Sequence, residues 1–182
     1  MIRFVEKAEN ISGIFSIKKN IIEDKRGYIE RLFCATELMS WAGRPISQIN
    51  KTFSEKKGTV KGFHFQCHPY SEAKLICCTQ GKVMDFALDL RQKSATFGQI
   101  FMIELDSEIH NAILLPEGVA HGLQTITDDV EMLYFHSQPY KPEYESGVNI
   151  FDPTLQITLP LSCTNISNRD QSLPLFSEVK MQ

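Results

Sequence analysis

Apolar and polar residues alternate along this chain in short runs, and turn residues separate the runs. The segments GIFSIKK, GYIERLF, SQINKTFS, TVKGFHFQ, AKLICCTQ, KVMDFALDL, QIFMIEL, NAILLP, HGLQTIT, EMLYFHS and NIFDPTLQI are rich in Val, Ile, Phe and Thr. Gly, Pro, Asp and Ser punctuate between them, so the pattern predicts β-strands. One helical stretch stands out, ATELMSWAG, expected to make one or two turns and to stop near Gly43. So many strands at short spacing in 182 residues predict an all-β fold, either a closed barrel or a double-sheet jelly roll, with a few short helices. No repeat, low-complexity stretch or linker interrupts residues 1–182, and a single domain is expected. The segment after Pro160, LSCTNISNRDQSLPLFSEVKMQ, is polar and loop-like. It reads either as a plain tail or as a segment folded back over a site.

Length and composition narrow the class. The chain is long enough for a substantial core, and 42% hydrophobic with 23% charged residues is ordinary for a globular protein. A net charge of -3 gives no reason to expect nucleic acid as a partner, although local positive charge at a phosphate site is compatible with it. The opening MIRFVEKAEN mixes charges into its apolar residues and lacks the core of a secretory signal. No apolar run approaches the about 20 residues of a membrane span, so no membrane association is expected. The cysteines are Cys34, Cys67, Cys77, Cys78 and Cys163, an odd number without C-x-x-C spacing. That argues against a disulfide framework and a zinc knuckle and predicts reduced thiols in a cytoplasm. Cys77 and Cys78, in LICCTQ, read as small apolar strand residues.

The candidate chemistry is densest in KGFHFQCHPYSEAKLICCTQG, residues 61–81. His64, His68 and Glu72, with His121 of PEGVAH, invite a cupin-type metal site. The Pro-x-Gly turn before His121 suits that pattern. However, two ligands from one strand leave the same face at i and i+2, and the residue two after His64 is Gln66. His68 lies further along, before Pro69, and is expected in a turn. Zinc and iron need several converging donors. The other reading is acid–base chemistry. Strict alternation in TVKGFHFQ sends Lys61, Phe63 and Phe65 to one face and Val60, Gly62, His64 and Gln66 to the other. An imidazole in a barrel mouth can titrate near neutral pH. Lys74 could then stabilise a developing oxyanion, and Tyr134 in EMLYFHS offers a phenol as the matching acid. A plainer reading also fits the spacing: His64 as a satisfied core histidine, Lys74 as a solvated charge and Tyr134 as a core aromatic with one polar end.

Longer motifs carry a resemblance. GFHFQCHPYSEAKLI, GKVMDFALDLRQKSATFGQ, LLPEGVAHGLQTITDDVEMLYF and PEYESGVNIFDPTLQITLP resemble the dTDP-4-dehydrorhamnose 3,5-epimerase family, over roughly Ile14 to Phe176. The specific elements are a G-x-H-(F/Y)-Q strand, a DLR followed by Ser and TFG, and PEGxAHG. The resemblance implies a cupin-type double-stranded β-helix that works as a homodimer, with no metal and no cofactor. It implies a nucleotide-diphosphate 4-keto-6-deoxyhexose as substrate and inversion of the stereocentres beside its C4 ketone. A base would remove the proton α to the ketone, a cation would hold the enolate oxygen, and an acid would return a proton to the opposite face.

By motif position, the resemblance makes His64 the base, Tyr134 the acid, Lys74 the enolate stabiliser and Asp170 the carboxylate that orients His64. Asp170 lies in ISNRDQSLPLF, so residues 161–182 are implied to fold back to the barrel mouth. His121 is implied to contact substrate, and Asp85 is a weaker member of the same polar cluster. Arg26, Gln48, Asn50, Glu145 and Arg169 fall at nucleotide or phosphate contact positions, and Tyr140 is placed to pack on sugar or base. Three positions depart from the family pattern. Lys61 stands where an Arg precedes the Gly-x-His core, which turns a bidentate phosphate clamp into a point charge. Arg31 stands where a Glu is usual, beside Glu30, and Cys77 stands where an Arg is usual. The catalytic set is kept while the nucleotide side drifts. The nucleotide (dTDP, CDP or GDP) and the centres inverted (C3, C5 or both) therefore stay open.

Overall fold

The predicted runs pair into two facing sheets. The computed structural model describes residues 3–179. Its strands are β1 (Phe4–Ala8), β2 (Phe15–Lys19), β3 (Ile22–Asp24), β4 (Gly27–Ile29), β5 (Gln48–Ser54), β6 (Thr59–Gln66) and β7 (Lys74–Gln80). They continue with β8 (Lys82–Asp89), β9 (Ile100–Asp106), β10 (Asn111–Leu115), β11 (Val119–Thr125), β12 (Val130–His136), β13 (Glu145–Val148) and β14 (Asn165–Ile166). One sheet runs β1-β2-β10-β7-β12-β5 and the other β13-β6-β11-β8-β9, while β3 and β4 form a separate hairpin. This is the all-β, cupin-like double sheet that the strand spacing predicted.

Period-two alternation sorts the side chains into layers. Ile76 and Cys78 of β7 meet Val83 and Ala87 of β8, Leu123 of β11 and Met132 of β12 in the space between the sheets. Leu75 and Cys77 point the other way and pack with Phe4, Ile17, Leu38 and Trp41. On the far side of the second sheet, Phe86 and Leu88 pack with Phe63, Phe65 and Val148. The central strands β7 and β11 are thus covered on both faces. That is why every residue of β11 and the first five of β7 are buried instead of alternating with exposed ones. Phe63 and Trp41 are fully buried, and each such side chain stabilises the fold by about 1.5–3 kcal/mol.

Several local expectations are corrected. ATELMSWAG makes only a 3₁₀ turn at Met39–Trp41, ended by Ala42 in the left-handed region. Glu6 accepts from the backbone of Met39 and Ser40 at 2.8 Å, and burial of Trp41 ties the segment to the sheet, so tertiary contacts override helix continuation. NIFDPTLQI is not a strand. Asp152 accepts from Thr154 N at 2.8 Å, and Pro153 opens a 3₁₀ turn. GYIERLF contributes only the three residues of β4.

The most consequential correction lies in β6. His121 of β11 faces His64, but Leu123 faces Lys61. Two steps on β11 match three on β6, which is a β-bulge. The extra residue reverses the parity. Lys61 therefore shares the cavity side with His64, and Val60 packs with Phe63 and Phe65. Strict alternation had separated Lys61 from His64.

The segment after Pro160 runs beside β6. Asn165 and Ile166 pair in parallel with Thr59 and Val60. A single helical turn, α1 (Asn168–Gln171), follows; the Ser167 side chain caps it by accepting from Asp170 N at 3.0 Å.

Candidate active site

At one end of the space between the sheets the apolar core gives way to polar side chains around a cavity of about 270 Å³. Lys61 and His64 enter it from β6 and His121 from β11, all in one sheet. Gln48 and Asn50 enter from β5, Lys74 from β7 and Tyr134 from β12, in the opposing sheet. A ligand between the sheets would therefore present one face to His64 and the other to Tyr134.

His64 is held from two sides. Its Nε2 lies 2.7 Å from Asp170 Oδ1, and its Nδ1 lies 3.5 Å from Glu145 Oε1. Burial disfavours the charged ring, but Asp170 and then Glu145 outweigh it and raise the His64 pKa above the ordinary 6.5. Burial pushes the Asp170 carboxyl up, but the bond to His64 dominates and its pKa is lowered. Glu145 also accepts from Tyr140 Oη at 2.5 Å and pairs with Arg169 Nη2 at 2.5 Å. The His64 ring, with Tyr140 and Arg169, holds Glu145 at about 2 against the opposing effect of burial.

Tyr134 is 8% exposed. Burial raises its pKa, so the phenol keeps its proton. Its ring meets His121 edge-on at a centroid distance of 5.8 Å. His121 Nε2 is 2.6 Å from Asp85 Oδ2, which places Asp85 on His121 and not on His64. Burial raises the Asp85 pKa, opposed by His121 and Lys74. Lys74 Nζ donates to the His64 carbonyl at 3.1 Å and pairs with Glu72 Oε1 at 3.1 Å. Lys61 Nζ donates to Thr52 Oγ1 at 3.2 Å, and burial lowers its pKa. Gln48 donates to Asn50 Oδ1 and accepts from Tyr140 N, which holds Tyr140 at the rim.

The structure thus gathers His64, Tyr134, Lys74, His121, Lys61, Gln48, Asn50, Tyr140 and Glu145 around one cavity. Asp170 and Arg169 reach its residues through His64 and Glu145. Arg26 stands apart. It sits in the exposed β3–β4 hairpin, where it pairs with Asp24 at 2.7 Å. His68 lies in an exposed turn. Among the described residues no group of three or more His, Cys, Asp or Glu is placed to hold a metal ion. Glu72, which the sequence offered as a candidate metal ligand, is 8% exposed and lines the cavity with His136. The signal for both was parity: Glu72 lies two before Lys74, and His136 lies two after Tyr134.

Two glycines let the C-terminal segment reach His64. A Cβ on Gly62 would lie 2.8 Å from Leu173 Cδ1 and 3.6 Å from Asp170 Cβ. One on Gly147 would lie 2.5 Å from the Phe63 carbonyl oxygen. Gly62→Ala is expected to push Leu173 away, to loosen through it the segment that carries Asp170, and to lower activity about tenfold, the effect of losing a hydrogen bond to a charged group. Wild-type turnover in that variant would show that Asp170 need not touch His64.

The profile of the family described as dTDP-4-dehydrorhamnose 3,5-epimerase matches residues 8–178. The chain belongs to the dTDP-4-dehydrorhamnose 3,5-epimerase family. It is thus an epimerase of the isomerase class. It is 31% identical over 176 residues to the dTDP-4-dehydrorhamnose 3,5-epimerase of Sinorhizobium fredii, covering 93% of this chain and 88% of that one. It is 34% identical over 172 residues to the dTDP-4-dehydrorhamnose 3-epimerase of Streptomyces niveus, covering 93% and 83%. A solved dTDP-6-deoxy-D-glucose-3,5-epimerase from Legionella pneumophila, in complex with dTDP-4-keto-L-rhamnose, superposes with a TM-score of 0.91 at 28% identity, covering 97% of this chain and 95% of that one. In this chain the β6 bulge, the C-terminal segment and the two opposed sheets account for where the site residues lie. No described helix is long and apolar enough to cross a membrane.

Proposed function

We propose that this epimerase inverts C3, C5 or both in a dTDP-linked 4-keto-6-deoxyhexose, by proton transfer through an enolate. The observation that carries the reading is the opposition of His64 and Tyr134 across the cavity, from different sheets, with Lys74 on β7 beside the strand of Tyr134. His64 Nε2 is occupied by Asp170, so Nδ1 is the nitrogen that takes the proton α to the ketone. Lys74 donates to the ketone oxygen as it gains charge. Tyr134 returns a proton from the far side, which inverts the centre. Asp170 fixes the ring and stabilises the imidazolium that forms, as a carboxylate does for a catalytic histidine. Gln48, Asn50, Lys61, His121, Tyr140, Glu145 and Arg169 bind the sugar and nucleotide. No step needs a cofactor, because the substrate's ketone provides the acidity. The relatives' names and the bound ligand of the Legionella enzyme support dTDP as the nucleotide.

The active form is a homodimer. The position of Arg26 outside its own cavity, on an exposed hairpin with Tyr28 and Ile29, supports this; light scattering that returned a monomer at assay concentration would remove it. Free cysteines throughout the described residues fit a reducing cytoplasm.

The deciding assay incubates the enzyme with dTDP-, CDP- and GDP-linked 4-keto-6-deoxyhexoses in deuterated water. Deuterium at C3 or C5 with the dTDP sugar is expected, and none with any nucleotide would end the reading. The pH dependence has a defined sign. The base must be neutral, and the His64 pKa is raised. Exchange is therefore lost as pH falls through a value above the ordinary 6.5 of histidine. Asp170→Asn removes the main cause of that rise. It should move the acid limb of kcat/KM to lower pH while lowering the plateau. An unmoved limb would show that Asp170 does not set the basicity of His64.

A further inference from the structure

An ammonium has three N–H donors. For Lys74 two are committed inside the protein, one to the His64 carbonyl and one to Glu72 Oε1, each at 3.1 Å. Tetrahedral geometry then leaves the third to point where the other two do not, and Lys74 lines the cavity. Glu72 is itself fixed. Its other oxygen, Oε2, accepts from His136 Nδ1 at 2.8 Å. His136 lies directly opposite Lys74 in the β12–β7 register, on the same face. The backbone between them is locked as well: Ala73 N donates to Ser137 Oγ at 2.8 Å, and Ser137 N donates to the Ala73 carbonyl at 3.0 Å. The carboxylate is thus bidentate, with one oxygen on each partner, and nearly closed to water.

We infer that Glu72 and His136 are positioning residues, which hold the Lys74 ammonium with one N–H aimed at the sugar's C4 oxygen. The inference rests on the enolate-stabilising role of Lys74 proposed above. Burial favours a neutral acid at Glu72, but His136 and Lys74 outweigh it and keep the carboxyl ionised. The negative charge does two things. It gives the buried cation a directly bonded counter-charge, and it fixes that cation's rotation before substrate arrives. A flexible lysine stem loses several rotatable bonds on binding, and pre-setting them removes that cost from the transition state. His136 acts through Glu72 by holding the carboxylate plane. Its ring also lies near-parallel to the Tyr134 ring at a centroid distance of 6.3 Å, so a Phe at this position keeps the packing and loses only the Nδ1–H donor.

A double-mutant cycle read by solvent-deuterium exchange into a dTDP-linked 4-keto-6-deoxyhexose tests this on the full chain. Glu72→Ala is expected to lower kcat about 30-fold with KM little changed, the size of a hydrogen bond to a charged group. His136→Phe is expected to lower kcat about fivefold, the size of a neutral donor's loss. Glu72→Gln should recover only part of the loss, because its amide oxygen still accepts from Nζ and its N–H can donate to Nδ1 while the negative charge is gone. Lys74→Met alone should cost about 100-fold, as for one oxyanion donor. In the Lys74→Met background neither Glu72→Ala nor His136→Phe should lower kcat further. Multiplicative losses in that background, or losses in KM alone, overturn the positioning role while leaving the Lys74 role intact. Full activity in Lys74→Met overturns both. If Glu72→Ala does not fold, His136→Phe and Glu72→Gln complete the same cycle.

Discussion

His64→Asn is expected to abolish hydrogen exchange at both C3 and C5, a loss of about 10³-fold, within the range for removing a general base. The expectation comes from how the nitrogens in the cavity are occupied. His64 Nε2 is bound to Asp170 at 2.7 Å, and Nδ1 faces Glu145 at the longer distance of 3.5 Å. His121 presents its Nε2 to Asp85 at 2.6 Å and pairs across strands with His64 on the same side. Lys74 is bound to Glu72 as a cation and cannot accept a proton. On the proposed mechanism one imidazole, His64, serves both carbons, which are the two α-positions of a single ketone. Asn retains a donor for Asp170 and approximates the ring's volume, so the C-terminal segment should stay docked and the melting temperature should change little. The measurement is proton NMR of the recovered sugar after incubation in deuterated water. Exchange persisting at one carbon at the wild-type rate would assign that carbon to a different base and end the single-base mechanism.

Much of this site was legible in the chain, and what was hidden has physical causes. His64, Lys74 and Tyr134 sit on strands whose alternation is easily seen, and motif positions added Asp170 from more than a hundred residues away. Alternation failed at Lys61, because a bulge adds one residue and exchanges the faces. No turn residue in TVKGFHFQ marks that bulge beyond Gly62, which is also needed for close approach of Leu173. Glu72 was obscured by its neighbours: it lies between the turn at His68–Tyr70 and the first residue of β7. What buries the carboxylate is a strand, β12, that lies about sixty residues later and delivers His136. NIFDPTLQI was misread because its apolar residues are frequent enough for a strand, yet Asp152 and Pro153 supply the local hydrogen bond and fixed φ of a turn. Pairing partners distant in sequence decide each of these cases, and single-segment patterns do not contain them.

Tyr134→Phe is expected to separate deprotonation from inversion. Phe keeps the ring that packs with Ile76 and Met132 between the sheets and edge-on against His121, so folding should be preserved. It removes only the hydroxyl. His64 and Lys74 remain, so the α-proton is still drawn off and the enolate still forms. With no acid on the far face, His64 returns the proton or deuteron to the side from which it came. Recovered sugar should carry deuterium with unchanged configuration, while inversion falls about 10³-fold. The environments of the two groups make this division workable. Carboxylates raise the pKa of His64 and burial raises that of Tyr134. Across the range in which His64 is a neutral base, Tyr134 therefore holds its proton, and both partners are ready at the same pH. The ratio of exchange to inversion is the sharpest readout, because a general loss of stability or binding would lower both together. Equal losses in exchange and inversion would show that Tyr134 helps to form the enolate, and full inversion would place the acid elsewhere on that face. In either case the opposition of the two sheets would no longer account for the stereochemistry.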